Sequence, residues 1–118
     1  MWLFLSDSFL SIVSHRDKPG ILLVRARQEG DIEAFFPNAE IQENSGTDYR
    51  FRVEVPSEEV AEVLANQTRA ITYSNFKDTV KKESRYMAYL KVWDTMRWWG
   101  RISRNSIEVA KKQNAMEG

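Results

Sequence analysis

No cysteine occurs in the chain, and histidine occurs once, at His15. The first absence removes disulfides and thiolate nucleophiles, and it fits the reducing cytoplasm. The second leaves any zinc site dependent on His15 and carboxylates distant in sequence. His15 closes an apolar run beside Arg16 and Asp17, and a lone histidine there reads as structural or solvated. No apolar run approaches the roughly 20 residues that a spanning helix needs, so no membrane partner is expected. Nor is there a Gly-x-Ser-x-Gly elbow, a P-loop or a Gly-x-Gly-x-x-Gly turn. These gaps leave no catalytic residue to nominate and point to no cofactor and no metal.

What is present fits one globular domain: 118 residues, 42% hydrophobic and 29% charged. The formal net charge is zero, but it is unevenly spread. Residues 1–71 hold seven Lys/Arg against twelve Asp/Glu, and residues 72–118 hold ten against five. A chain polarised in this way can present a basic side while remaining neutral overall, or its halves can neutralise each other on folding.

Apolar runs bounded by turn residues, with period-two alternation in the later ones, locate the strands. Trp2–Ser6 and Phe9–His15 read as a hairpin, and Ile21–Arg27 follows a Pro19-Gly20 turn. In that third strand Leu22, Val24 and Ala26 point one way and Leu23, Arg25 and Arg27 the other. Residues 28–36 read as a short helix with Ile32, Phe35 and Phe36 inward, ended by Pro37. A weak fourth strand over 39–43 precedes a clear one over 48–55. There Tyr49, Phe51, Val53 and Val55 alternate with Arg50, Arg52 and Glu54, which predicts one buried and one wet face.

Pro56-Ser57-Glu58-Glu59 opens a helix with Ser57 as its cap and Val60, Val63 and Leu64 inward. A long helix is expected from about Phe76 to Trp99, capped by Ser74 or Asn75 and stopped by Gly100. The expected organisation is one domain over 1–100 and a polar tail over 101–118, partly disordered or with a short helix. The element order β-β-β-α-β-β-α-α, with short links, predicts an α+β fold. Its antiparallel sheet would have four to five strands, with the long C-terminal helix packed on one face.

Two groups of side chains are candidates for function. Period-two spacing puts Arg25 with Arg27, and Arg50 with Arg52, opposite the apolar residues of their strands. If those strands share a sheet, four guanidiniums share its outer face, joined by Lys77 as a further cation. Such forks suit phosphate or carboxylate, while a solvated face balanced by Glu54 and nearby acids is the plainer reading. The second group is the aromatic stripe of the long helix: Tyr86, Tyr89, Trp93 and Met96, with Trp98 beyond. With Phe76, Val80, Met87 and Leu90 it covers more than one helix face needs. Its excess would pack on the core, on a second copy in a homodimer, or against bases. The carboxylates Asp31/Glu33 and Glu58/Glu59/Glu62 fit helix-dipole complementarity better than acid–base work.

Met1-Trp-x-Phe4, Leu22-Leu-Val-Arg-Ala-Arg27, Gly30-Asp31, Asp48-Tyr-Arg-Phe-Arg52 and Tyr73-Ser-Asn-Phe-Lys-Asp78 resemble a group of small uncharacterised proteins carried by bacteria and their phages. The likeness covers about residues 1–99 and implies no activity and no catalytic residue. It implies a small accessory or phage-borne factor that acts by binding. The expectation is therefore a non-enzymatic, cytoplasmic binding protein for an anionic ligand or partner: a nucleotide, a nucleic acid or an acidic protein surface. Two alternatives stand beside it: an oligomeric interaction module built on the aromatic helix, and an inhibitor of a host defence enzyme.

Overall fold

A computed structural model describes residues 1–117. The fold is α+β, with a five-stranded antiparallel sheet and a long C-terminal helix. The strands are β1 (Trp2–Phe4), β2 (Phe9–Ser14), β3 (Ile21–Ala26), β4 (Gln42–Glu43) and β5 (Phe51–Pro56), in the spatial order β1-β2-β3-β5-β4. The element order is the expected one, with the segment after β3 formed as successive turns. Ala34 N–H donates to the Gly30 carbonyl and Phe36 N–H to that of Ile32.

The hairpin turn between β2 and β3 ends at Gly20, whose φ of 77° lies in the region that residues with a Cβ avoid. That matches the type II geometry read from Pro19-Gly20. β5 crosses over to pair with β3 because residues 27–50 return along the sheet and place β4 on its outer edge.

One sheet face is dry. Leu10 and Ile12 of β2, Val24 and Ala26 of β3, and Phe51, Val53 and Val55 of β5 are buried there. Helix α1 (Ser57–Arg69) and the turn segment close this face with Val60, Ile32 and Phe36, and Val63 and Leu64 flank them. Alternation within β2, β3 and β5 is thus converted into one core, as the period of two requires.

The start of α1 differs from expectation. Pro56 is the cap residue and Ser57 is already inside, with no side-chain cap bond. The Ser57 N–H donates to the Gly20 carbonyl at 2.9 Å, so a tertiary acceptor satisfies one of the free N–H groups of the first turn. Glu58 and Glu59 do occupy the first turn.

Asp31 is 3% exposed, and its Oδ2 accepts the Phe9 N–H at 3.0 Å. It is a structural acceptor at the start of β2 and not a solvated dipole partner. A buried amide there would otherwise be left without an acceptor.

The chain divides into two compact units, Met1–Lys81 and the residues from Lys82 onward. This differs from a domain over 1–100 with a tail. The expected helix from Phe76 begins as a short 3-10 turn, Phe76–Thr79, capped by the Asn75 side chain on the Lys77 N–H. Extended Val80 then interrupts it. The long helix α2 runs from Glu83 to Glu117, through Gly100 and through the expected tail. One interior glycine costs only about 1 kcal/mol relative to alanine. No proline follows Gly100 to make a stop, so the flanking helix formers carry the helix onward.

Candidate functional site

The sheet face opposite the core carries the candidate cations. Registration places Ser11 against Arg25 and Arg25 against Arg52, with Gln42 beyond. Trp2 lies against Ser11 on the other side and starts the same row. Arg25 and Arg52 are thus direct cross-strand neighbours, with Cα atoms about 4.5–5.5 Å apart. Like charges in that position repel.

The four arginines do not behave alike. Arg27 is ion-paired: its Nε and Nη2 donate to Asp48 at 3.3 and 2.9 Å. Arg50 is ion-paired to Glu43 on the edge strand. Arg25 and Arg52 are half-buried, and neither pairs with a carboxylate among the described residues. Arg25 Nη2 donates to Ser11 Oγ at 2.8 Å. Arg52 Nη2 donates to Thr47 Oγ1 at 3.1 Å and weakly to the Tyr49 carbonyl. The Nε atoms of both are buried without a hydrogen-bond partner. The expected set of four on one open face is therefore two arginines neutralised by acids and two opposed without one. Lys77 belongs to a separate element, the 3-10 turn, which is tied to the β1–β2 turn by the Thr79–Ser6 hydroxyl bond at 2.7 Å.

Tyr49 is buried, as alternation predicts, at 8% exposure, but on the arginine side of the sheet. Alternation put it with Phe51, Val53 and Val55 on the core side. Its ring instead lies under both Arg25 and Arg27, with guanidinium carbons 4.6 and 4.3 Å from the centroid. The cause is local: β5 begins at Phe51, so the period of two does not extend back to Tyr49. The same irregularity diverts Arg50 toward Glu43 and the Phe51 ring. Phe4 and Phe9 meet at a tilt of 35° with centroids 4.8 Å apart, Trp2 meets Phe9 edge-on at 6.3 Å, and Arg27 lies 5.8 Å above Phe9. Aromatic rings and guanidiniums are interleaved on this face, in contacts individually worth about 0.5–1 kcal/mol where exposed.

His15 has a defined structural task. Its Nδ1 accepts the backbone N–H groups of Asp17 and Lys18 at 3.0 and 3.1 Å. The ring proton therefore sits on Nε2 and is donated to Glu54 Oε1 at 2.9 Å. Lys18 Nζ reaches the other Glu54 oxygen. These bonds latch the β2–β3 turn onto β5. Among the described residues, no group of three or more His, Cys, Asp or Glu could hold a metal ion.

Two carboxylates on this face are held below the ordinary carboxylate range. Asp48 is lowered first by its hydrogen bond from Arg27, which outweighs the opposing effect of desolvation, and further by the charges of Arg27 and Arg25. Glu54 is lowered first by its hydrogen bond from Lys18 and also by His15. A depressed folded-state value means that the stabilisation is present above the unfolded value. It is lost as pH falls through the folded one. Carboxyl NMR titration should find Asp48 titrating below a free aspartate, and Arg27→Gln should return it upward. An Asp48 that titrates normally in the wild type would remove this ion pair from solution.

A groove of about 550 Å³ follows the edge of β5 beyond the end of two-residue β4. Val53 and Val55 form part of its lining, with Glu40, Glu54 and Glu59 outnumbering Lys18. The acids make this groove unsuited to an anion.

The aromatic stripe of α2 is only partly as expected. At about 100° per residue, Tyr86, Tyr89, Trp93 and Met96 share one side, and Trp98 lies about half a turn away. Tyr89 is buried, and its hydroxyl accepts from Arg85 at 3.3 Å. Trp93, stacked beneath Arg97 at 5.5 Å, and Met96 are exposed.

Comparison with family models, with curated proteins and with solved structures finds no match for this chain.

Proposed function

We propose that the protein is a small non-enzymatic binding protein whose recognition element is the Arg25–Arg52 pair. The observation that carries this reading is the two opposed guanidiniums, each with a buried Nε lacking an acceptor. Leaving a charged donor without a partner costs more than the roughly 1–3 kcal/mol typical of a neutral group. An oxyanion set over the two arginines would be drawn to their unneutralised charge and cancel their repulsion. The ligand class is thus a phosphate- or carboxylate-bearing anion. A nucleotide fits best, because Trp2 brings an exposed ring to the same face, and a base can stack on it.

Thermal-shift titration at low ionic strength tests the proposal, using inorganic phosphate, mononucleotides and a short single-stranded oligonucleotide. Nucleotides should raise the midpoint in a concentration-dependent way. The rise should fade with salt, and the double variant Arg25→Ala/Arg52→Ala should abolish it. Absence of any shift in the wild type, or an equal shift in the double variant, would remove the anion reading.

A further inference from the structure

The long helix segregates its charges more sharply than its sequence suggests at first sight. Between Lys91 and Lys112 there are six cations and two acids. At about 100° per residue, Lys91, Asp94, Arg97, Arg101, Arg104, Glu108, Lys111 and Lys112 all fall within a sector of about 160°. The remaining sector of about 200° holds no charge. Val92, Met96, Trp99, Ile102 and Ile107 lie within it, while Trp93 and Trp98 stand at its two borders. Trp98, Trp99, Ile107 and Val109 are each more than half exposed.

We infer that residues 91–112 of α2 form a surface-lying helix for anionic lipid. The occupant follows from three features. First, the charged side is net positive, which complements an anionic bilayer surface. Second, border tryptophans and long basic side chains are the residues that settle at headgroup level. Third, the width of the uncharged face matches a plane better than a partner helix. A two-stranded seam needs large apolar residues at a strict a/d spacing. Continuing that spacing from Tyr89, Trp93 and Met96 gives Gly100, Ser103, Ile107, Ala110 and Asn114, only one of them large and apolar. Trp98, Ile102 and Val109 would be left outside such a seam, but a bilayer surface can accommodate them.

No helix among the described residues is long and apolar enough to cross a membrane. The expectation of no membrane partner rested on that criterion alone. A helix lying in the interface needs a segregated face and no spanning run. The segment is about 33 Å long at 1.5 Å per residue.

The test is co-sedimentation of the full chain with vesicles of phosphatidylglycerol and phosphatidylcholine, compared with phosphatidylcholine alone, while tryptophan emission is followed. Binding to the anionic vesicles at low salt with a blue-shifted emission is expected, and at least about tenfold weaker binding to the neutral ones. Each cation near the surface contributes roughly fivefold. Arg101→Glu/Arg104→Glu, at exposed positions, should therefore weaken partitioning at least about 25-fold with far-UV circular dichroism unchanged. Trp99→Ser should weaken it through the apolar face, giving a second variant independent of charge. Failure to bind anionic vesicles, or equal binding to both compositions, would overturn the inference. So would a dimer in sedimentation that Trp99→Ser dissociates while vesicles have no effect, since a second copy would then be the occupant.

Discussion

Ile32→Ala should lower the unfolding free energy of the sheet unit by about 2–5 kcal/mol. Ile32 is fully buried among Leu10, Val24, Phe36, Phe51 and Val60. It comes from a turn segment and not from a regular element, so the expected loss is unusual for a loop position. Two constraints hold it there. Asp31, its neighbour, is bonded to the start of β2, and the Ile32 carbonyl accepts the N–H groups of Phe35 and Phe36. The backbone therefore has little freedom to move inward and fill the space left by the removed methyl groups. A cavity that cannot collapse falls at the costly end of the range. For a unit of this size, each kcal/mol moves the thermal midpoint by roughly 4–8 °C, so a fall of at least about 8 °C is expected. Urea denaturation should show a lower midpoint at an unchanged slope, since the surface exposed on unfolding is nearly the same. A loss below about 1 kcal/mol would mean that the turn segment packs more loosely than its burial indicates.

The same segment shows what could be read from the residues alone. Ile32, Phe35 and Phe36 were legible as an inward cluster because spacing of three and four survives in irregular turns. Their partner strands were legible too, β5 by its clean alternation and β2 and β3 as short apolar runs bounded by turn residues. The role of Asp31 was not legible. A carboxylate that accepts an amide 22 residues earlier in the chain leaves no local pattern. Gly100 misled for a different reason. Its neighbours favour helix strongly enough to absorb one unfavourable residue, and stop signals work only when several coincide.

The arginine face was half legible. Alternation fixes which side each arginine takes within a strand, but it does not say which strands are neighbours. The crossover that brings β5 beside β3 makes Arg25 and Arg52 a pair, and that is a property of topology. The neutralisation of Arg27 by Asp48 and of Arg50 by Glu43 depends on loop geometry between residues 43 and 50, where periodicity ends. For the same reason alternation gives the burial of Tyr49 but not the face it takes. In α2 the stripe from Tyr86 to Met96 follows from spacing alone. Reading on to Trp98 fails because two further residues turn the helix by about 200°.

The neutralisation pattern separates two roles for Arg52, because binding and stability should respond in opposite directions when it is replaced. Arg52→Met keeps much of the side-chain length and removes the charge opposed to Arg25. The groups it leaves behind are not stranded, since the Tyr49 carbonyl still accepts from Thr47 Oγ1 at 2.8 Å. Replacing a poorly satisfied buried charge by an apolar residue of similar volume is commonly neutral or stabilising by 1–4 kcal/mol. Arg52 is only half-buried, so solvent screening reduces this. Unchanged stability or a gain of up to about 1 kcal/mol is expected in urea denaturation. Nucleotide affinity should meanwhile fall by about ten- to a hundredfold, the worth of a charge-assisted hydrogen bond of roughly 1.5–3 kcal/mol. Calorimetric titration of the wild type and the variant at the same low salt measures that fall. A variant that loses stability by more than about 1 kcal/mol, with nucleotide binding intact, would make Arg52 a structural tie between β5 and the Thr47 turn. The recognition role would then have to be given up. A gain in stability coupled to a loss of binding is the signature of a charge kept at the sheet surface for a ligand.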